Sequence, residues 1–220
     1  MPKPPSARLA PIRQVLEVMS ALRAPDGCPW DREQDHVSLR WHAVEEVYEL
    51  LDAIEAGDDV EMVEELGDLL LQVVFHAQLA RERGVFDFDA VCRRLVEKLV
   101  GRHPHVFGEV EVRDVDQVLA NWERIKRDEK AGSVHERKSA LDGIPRRLPG
   151  LMRAQKLVKK ASKAGLPGGK APRMSKKEVG QRLFEIAQWC QENGISAEAA
   201  LGAEIRRRDT AWRRAESKGG

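Results

Sequence analysis

Residues 42–80 read HAVEEVYELLDAIEAGDDVEMVEELGDLLLQVVFHAQLA, two helical periods separated by Gly57, Asp58 and Asp59. The glycine supplies a C-terminal cap for the first helix and the aspartates supply N-caps for the second, so the two helices are expected to fold back as a hairpin. On a helix turning about 100° per residue, with Glu46 set at zero, Val44, Val47, Leu50, Leu51 and Ile54 span roughly 40° to 160° while Glu46 and Glu49 stand at about 0° and 300°. With Glu65 at zero, Met62, Val63, Leu66, Leu69, Leu70, Val73, Ala77 and Ala80 occupy the same roughly 120° arc, and Glu65 and Asp68 again stand at about 0° and 300°. Helices packing by these stripes would bring two i,i+3 carboxylate pairs to the edge of one interface.

Four partly buried carboxylates repel one another unless a cation compensates. Oxygen ligands without His or Cys favour Mg²⁺ or Mn²⁺ over Zn²⁺, and Mg²⁺ typically binds substrate phosphates as well. One ExxE is also what an ordinary acidic helix face contains, since Glu is a good helix former. Here, however, eleven Asp or Glu residues and no Lys or Arg lie between Trp41 and Asp68, and two pairs share one phase. The converse stretch, Arg137 to Arg182, holds fourteen basic residues against Asp142 and Glu178 alone, so the net charge of +1 conceals a strong asymmetry. That stretch reads as an anion- or partner-binding surface, or as a solvated face.

Outward from the hairpin, the chain reads as all-α. Charged residues make up 33% and aromatics 5%, and apolar residues recur at helical spacing. The spacing and the punctuating Gly and Pro predict helices at 12–22, 38–56, 59–83, 87–101, 115–130, 175–192 and 196–216, with a faint alternation at 106–112, VFGEVEV, suggesting a short extended piece. Residues 1–11, with four prolines, read as a flexible tail, and 165–174, containing GLPGGKAP, as a linker. No apolar run is long enough for a membrane span and the start lacks a signal-peptide core, so a cytoplasmic location is expected. Cys28, Cys92 and Cys190 form no CxxC and read as free thiols.

The run Glu45-Glu46-Val47-Tyr48-Glu49, followed by Glu65-Leu66-Gly67-Asp68, resembles the EExxE…ExxD signature of the MazG family of nucleoside triphosphate pyrophosphohydrolases. Gly27-Cys28-Pro29-Trp30-Asp31, Arg102-His103-Pro104-His105-Val106-Phe107 and Trp122-Glu123-Arg124-Ile125-Lys126 resemble further blocks of that family, in its order, so the likeness runs from about Val15 to Gly165. It implies an all-α MazG-like helical bundle at 12–164, a homodimer or higher homo-oligomer, and Mg²⁺-dependent cleavage of NTPs or dNTPs to the monophosphate and pyrophosphate, a house-cleaning of the nucleotide pool. It implies Glu46, Glu49, Glu65 and Asp68 as metal ligands, with Mn²⁺ an alternative ion, and Glu45 and Glu49 in the handling of water. Lys98, Arg102, Lys126 and Lys130 are candidates for phosphate oxygens, because fixed cations stabilise charge spreading over them. Trp30 and Trp122 are candidates for stacking on a base, with core packing the alternative. His36 is a candidate cap or substrate contact, with a plain surface role the alternative, whereas His103 and His105 read as a turn. A narrow dUTP- or dCTP-type specificity, or a non-enzymatic adaptor using the basic segment, are the competing functions; nucleic acid is not the expected partner.

The C-terminal part, 175–220, resembles a degenerate tail of a second copy of the domain. Glu178-Val179-Gly180-Gln181-Arg182-Leu183-Phe184 parallels Glu65 to Leu71, with Gln181 where Asp68 stands, and Glu204-Ile205-Arg206-Arg207-Arg208 has Glu in place of Lys98. The chemistry is therefore expected in the N-terminal part alone. Trp41-His42-Ala43 departs from the family's pattern, which bears on substrate preference.

Overall fold

Gly57 adopts the left-handed conformation (φ 69°), and its N–H and that of Asp58 return to the last turn of α3 (His42–Ala56). The Asp58 side chain then accepts from the N–H groups of Val60 and Glu61 at 3.0 and 3.2 Å and opens α4 (Asp59–Glu82). Two residues thus reverse the chain, and α3 and α4 pack along one another. The computed structural model describes residues 4–134, 136–166, 168–169 and 172–219, so residues 1–3 of the expected tail and 167, 170 and 171 of the expected linker lie outside the described residues. Its other helices are α1 (Pro11–Leu22), α2 (Pro29–Glu33), α5 (Phe88–Arg102), α6 (Pro104–Phe107), α7 (Val115–Asp128), α8 (Gly150–Lys163), α9 (Lys176–Glu192) and α10 (Ala197–Gly219). Among the described residues there is no strand, and no helix is long and apolar enough to cross a membrane.

Contacts divide the chain into two units, Met1–Arg113 and Asp114–Gly220. In the first, α1 packs on the C-terminal half of α4, and Met19, Leu39, Val74, Phe75 and Leu79 form the core with Val15, Leu16 and Phe88 around it. Arg23 closes this end: its Nε and Nη2 donate to Glu82 at 2.7 and 2.6 Å, while its Nη1 donates to the carbonyls of Asp31 and Gln34. In the second unit α8 packs on α10, burying Leu141, Leu157, Ala161, Ile205 and Trp212.

Three expectations change. The segment 106–112 forms no strand: Pro104 at the first position, with φ already helical, starts the short α6 through Phe107, Gly108 beyond it is extended, and residues 110–113 carry no regular structure. The second expected helix starts at His42 rather than at residue 38, because Asp35 takes the N–H groups of Val37 and Ser38, both at 2.7 Å, and holds that stretch as turns. A helix absent from those expected, α8, lies ahead of the compositional linker at 165–174 and packs with α10, and the contact division falls at Arg113.

Candidate metal centre

The hairpin does not close by the apolar arcs. On α3, beyond His42 at its start, the residues withdrawn from solvent are Ala43, Glu46, Leu50 and Ala53, and towards the N-terminal half of α4 they are Met62, Glu65, Asp68, Leu69 and Gln72. These follow an i, i+3, i+7 repeat, so the seam lies roughly a quarter turn from the centre of each apolar arc. Glu46 and Glu65 therefore stand in the seam rather than at its edge. Much of the arc is left open, with Ile54 at 51% and Val63 at 73% exposure. An arc of more than about 100° is wider than one neighbouring helix covers.

The rotation still gathers the carboxylates. One oxygen each from Glu46, Glu49 and Glu65 lies within 4.8 Å of the others. Asp68, half-buried on the same face, is close enough to act on two of them. Burial pushes the Glu46 carboxyl above its ordinary value, and the charges of Asp68, Glu49 and Glu65 and a hydrogen bond with Glu49 push the same way. Glu65 is raised by desolvation first, then by Glu49 and Asp68. Gln72, only 7% exposed, reaches Glu46 Oε1 with its amide nitrogen at 3.4 Å, and its own carbonyl oxygen is buried without a hydrogen-bond partner. Such a group costs about 1–3 kcal/mol unless something completes it.

These features fit a hard divalent cation. Oxygens on an octahedral Mg²⁺ at about 2.0–2.1 Å stand about 2.9 Å apart when adjacent and about 4.2 Å when opposite, so three carboxylates within 4.8 Å of one another would close on an ion by side-chain rotation of about 1 to 2 Å. A cation would offset both the burial and the mutual repulsion that raise Glu46 and Glu65. Its coordinated water would be a donor of the kind the Gln72 carbonyl lacks.

The remaining candidates are distributed through both units. Glu45 is exposed, 3.6 Å from His42 Nδ1, and lies outside the three-carboxylate group. Trp30 is 53% exposed at the start of α2 and meets His42 edge-on, 6.2 Å between centroids, so it is not a core residue. His36 is neither a cap, since α3 starts after Trp41 with no side-chain cap, nor a free surface group: its ring stacks on His76, Nδ1 to Nδ1 2.8 Å. Lys98 is exposed on α5 and Arg102 is half-buried at its end. Trp122, Lys126 and Lys130 are half-buried on or just after α7, in the second unit. His103 donates from Nδ1 to the Leu99 carbonyl at 2.6 Å where α5 turns into α6, in keeping with a turn. Gln72 and His76 belong to none of the sequence motifs; the signal for Gln72 was its place seven residues after Glu65, two turns along the same face.

Fold and site together define an all-α helical protein with a carboxylate-lined hairpin suited to a divalent cation. The MazG nucleotide pyrophosphohydrolase domain model matches residues 34–107. The nucleoside triphosphate pyrophosphohydrolase of Escherichia coli K12 is 48% identical over 155 residues, 70% of this chain and 58% of that protein. The Thermotoga maritima nucleoside triphosphate pyrophosphohydrolase/pyrophosphatase MazG is 38% identical over 215 residues, 89% of this chain and 82% of it. The Mycobacterium tuberculosis nucleoside triphosphate pyrophosphohydrolase is 42% identical over 171 residues, 77% and 50% respectively. The chain belongs to the MazG family. It spans a little over half the length of its Escherichia coli relatives.

Proposed function

We propose that this chain hydrolyses nucleoside or deoxynucleoside triphosphates to the monophosphate and pyrophosphate, acting on the free nucleotide pool of the cytoplasm. The observation that carries this reading is the convergence of Glu46, Glu49 and Glu65, with Asp68 beside them, in a partly dry seam. These four residues would hold Mg²⁺, or Mn²⁺ in its place. Bound there, the ion would neutralise the triphosphate and lower the pKa of a water.

The chain's own residues divide the remaining work. Glu49 is exposed, so it can accept the proton of a water arriving from solvent while Glu46 and Glu65 stay in the seam. Glu45, one position before Glu46, orients that water from outside the ligand group. Lys98 and Arg102, with Lys126 and Lys130, are the cations assigned to phosphate oxygens. Trp30, and Trp122 as a second aromatic, are the stacking surfaces for the base. His36, held against His76, is assigned to shaping the site wall. A second copy of the chain covers the apolar arc that α3 and α4 leave open.

The test is pyrophosphate release from a panel of NTPs and dNTPs with Mg²⁺, comparing wild type with Glu65→Ala and Asp68→Ala. Activity in the wild type that is lost in both variants is expected; equal activity in all three refutes the metal assignment. The same panel separates a broad hydrolase from a dUTP- or dCTP-specific one.

A further inference from the structure

We propose that the second unit carries a separate binding site for a small phosphorylated anion, in the cavity between α8, α10 and the segment 141–146. The cavity measures about 360 Å³, at the small end of ligand sites. Leu141, Leu157 and Ile205 form its floor, and all three are buried members of the α8/α10 core, so the cavity is cut into packed structure.

Its charged rim sorts into two groups. Arg213 donates to Asp142 at 2.8 Å and to Asp209 at 3.0 Å, which satisfies both acids, and Asp142 also accepts from the Ser139 N–H at 3.0 Å. Arg146 and Arg153, by contrast, have no carboxylate partner among the described residues, although Arg153 is half-buried. With three arginines against two aspartates the rim carries one net positive charge. A further guanidinium stands close by: Gly143, with φ 86°, lines the cavity, and the Arg137 side chain packs on it where a Cβ would otherwise be. Beside it, Lys160 donates to the Ala140 carbonyl at 2.9 Å and the Glu216 carboxylate accepts from the Ala140 N–H at 2.8 Å, one charge of each sign.

Unpaired guanidinium forks around an apolar floor suit the oxygens of a phosphoryl group attached to a small body. Among the described residues no aromatic ring lines the cavity to offer a base a stacking platform. The fitting class is therefore a phosphomonoester or pyrophosphate rather than an intact nucleotide held by its base. The inference does not depend on the carboxylate site, which lies in the other unit.

Isothermal titration of the full chain in EDTA at low salt, with inorganic phosphate, pyrophosphate and ribose 5-phosphate, tests it; citrate serves as the carboxylate control. At least one phosphorylated probe should bind saturably. Arg146→Gln and Arg153→Gln should each weaken that probe roughly tenfold or more, and Glu65→Ala should leave it unchanged. Arg153→Lys, which keeps the charge and the packing stem, should give an intermediate loss, so the prediction stands even where Arg153→Gln lowers stability. The site is refuted by the absence of saturable binding at millimolar probe, by equal binding of citrate, by binding that survives the double arginine substitution, or by loss of binding in Glu65→Ala.

Discussion

Replacing Gln72 by leucine separates what stabilises this fold from what serves its site. In the metal-free chain the Gln72 carbonyl is buried without a partner, a cost of about 1–3 kcal/mol. Its amide nitrogen gains little in return. At 3.4 Å from Glu46 it lies beyond the usual range for N–H···O bonds, so that contact contributes less than about 1 kcal/mol. The amide orientation is fixed by the neighbour, since a carboxylate accepts and the opposite orientation would set two oxygens face to face. Leucine has a similar volume and no polar atom. The expected outcome is a gain of about 1 kcal/mol in EDTA, or a melting temperature higher by roughly 2–4 °C. If the carbonyl instead receives a hydrogen bond from a metal-bound water, Gln72→Leu should weaken Mn²⁺ binding by about 10- to 100-fold. Thermal melts by circular dichroism in EDTA and titration of free Mn²⁺ by electron paramagnetic resonance read the two effects. A lower melting temperature in EDTA refutes the claim of an unmet carbonyl, and unchanged Mn²⁺ affinity refutes its role toward the metal.

Arg23→Met should cost about 3 kcal/mol by urea denaturation, because it strands a partly buried Glu82 carboxylate that Arg23 holds below its ordinary pKa and frees two carbonyls; a loss under about 1 kcal/mol refutes this. His76 is held below its usual pKa by burial and by His36, so the unfolded chain takes up the proton first and stability should fall as pH drops through about 6.5. His76→Gln should flatten that dependence between about pH 7.5 and 5.5, and an unaltered slope in urea melts counts against the pair. Leu51→Asp, on the open arc of α3, should convert a dimer to a folded monomer by sedimentation velocity at micromolar protein, whereas a monomeric wild type defeats the assignment of that face to a second copy.

The hairpin was legible because its signals are local. Gly57 and Asp58 cap adjacent helix ends, and the carboxylate pairs stand at the same phase to the apolar arc on both helices. What could not be read was which arc faces which helix. Periodicity gives a residue's phase on its own cylinder, whereas the rotation of the cylinder depends on every surface competing for the apolar stripe. Helix α8 carries a helical period in Leu151, Ala154, Leu157, Val158 and Ala161, and what it lacks is a local start signal. Its N-cap is Pro149, with no side-chain cap, and the Gly150 N–H is taken instead at 2.6 Å by Glu198 of α10, a residue 48 positions away. A start signal supplied from so far along the chain leaves no mark near the start. The five-residue α2 was lost in a Gly- and Pro-rich loop, although Pro29 at its first turn marks it in retrospect.

The two-residue reversal at Gly57 and Asp58 makes the spacing between Glu49 and Glu65 a fixed length of chain rather than an adjustable one. One inserted residue carried through α4 would turn Glu65, Asp68 and Gln72 by about 100° and advance them about 1.5 Å, out of the seam and away from Glu46. Substitutions that keep a left-handed residue and an N-cap leave the helices meeting as before. The loop is thus open to change in composition but closed to change in length, and an insertion or deletion there would scatter the carboxylate cluster in a protein that still folds.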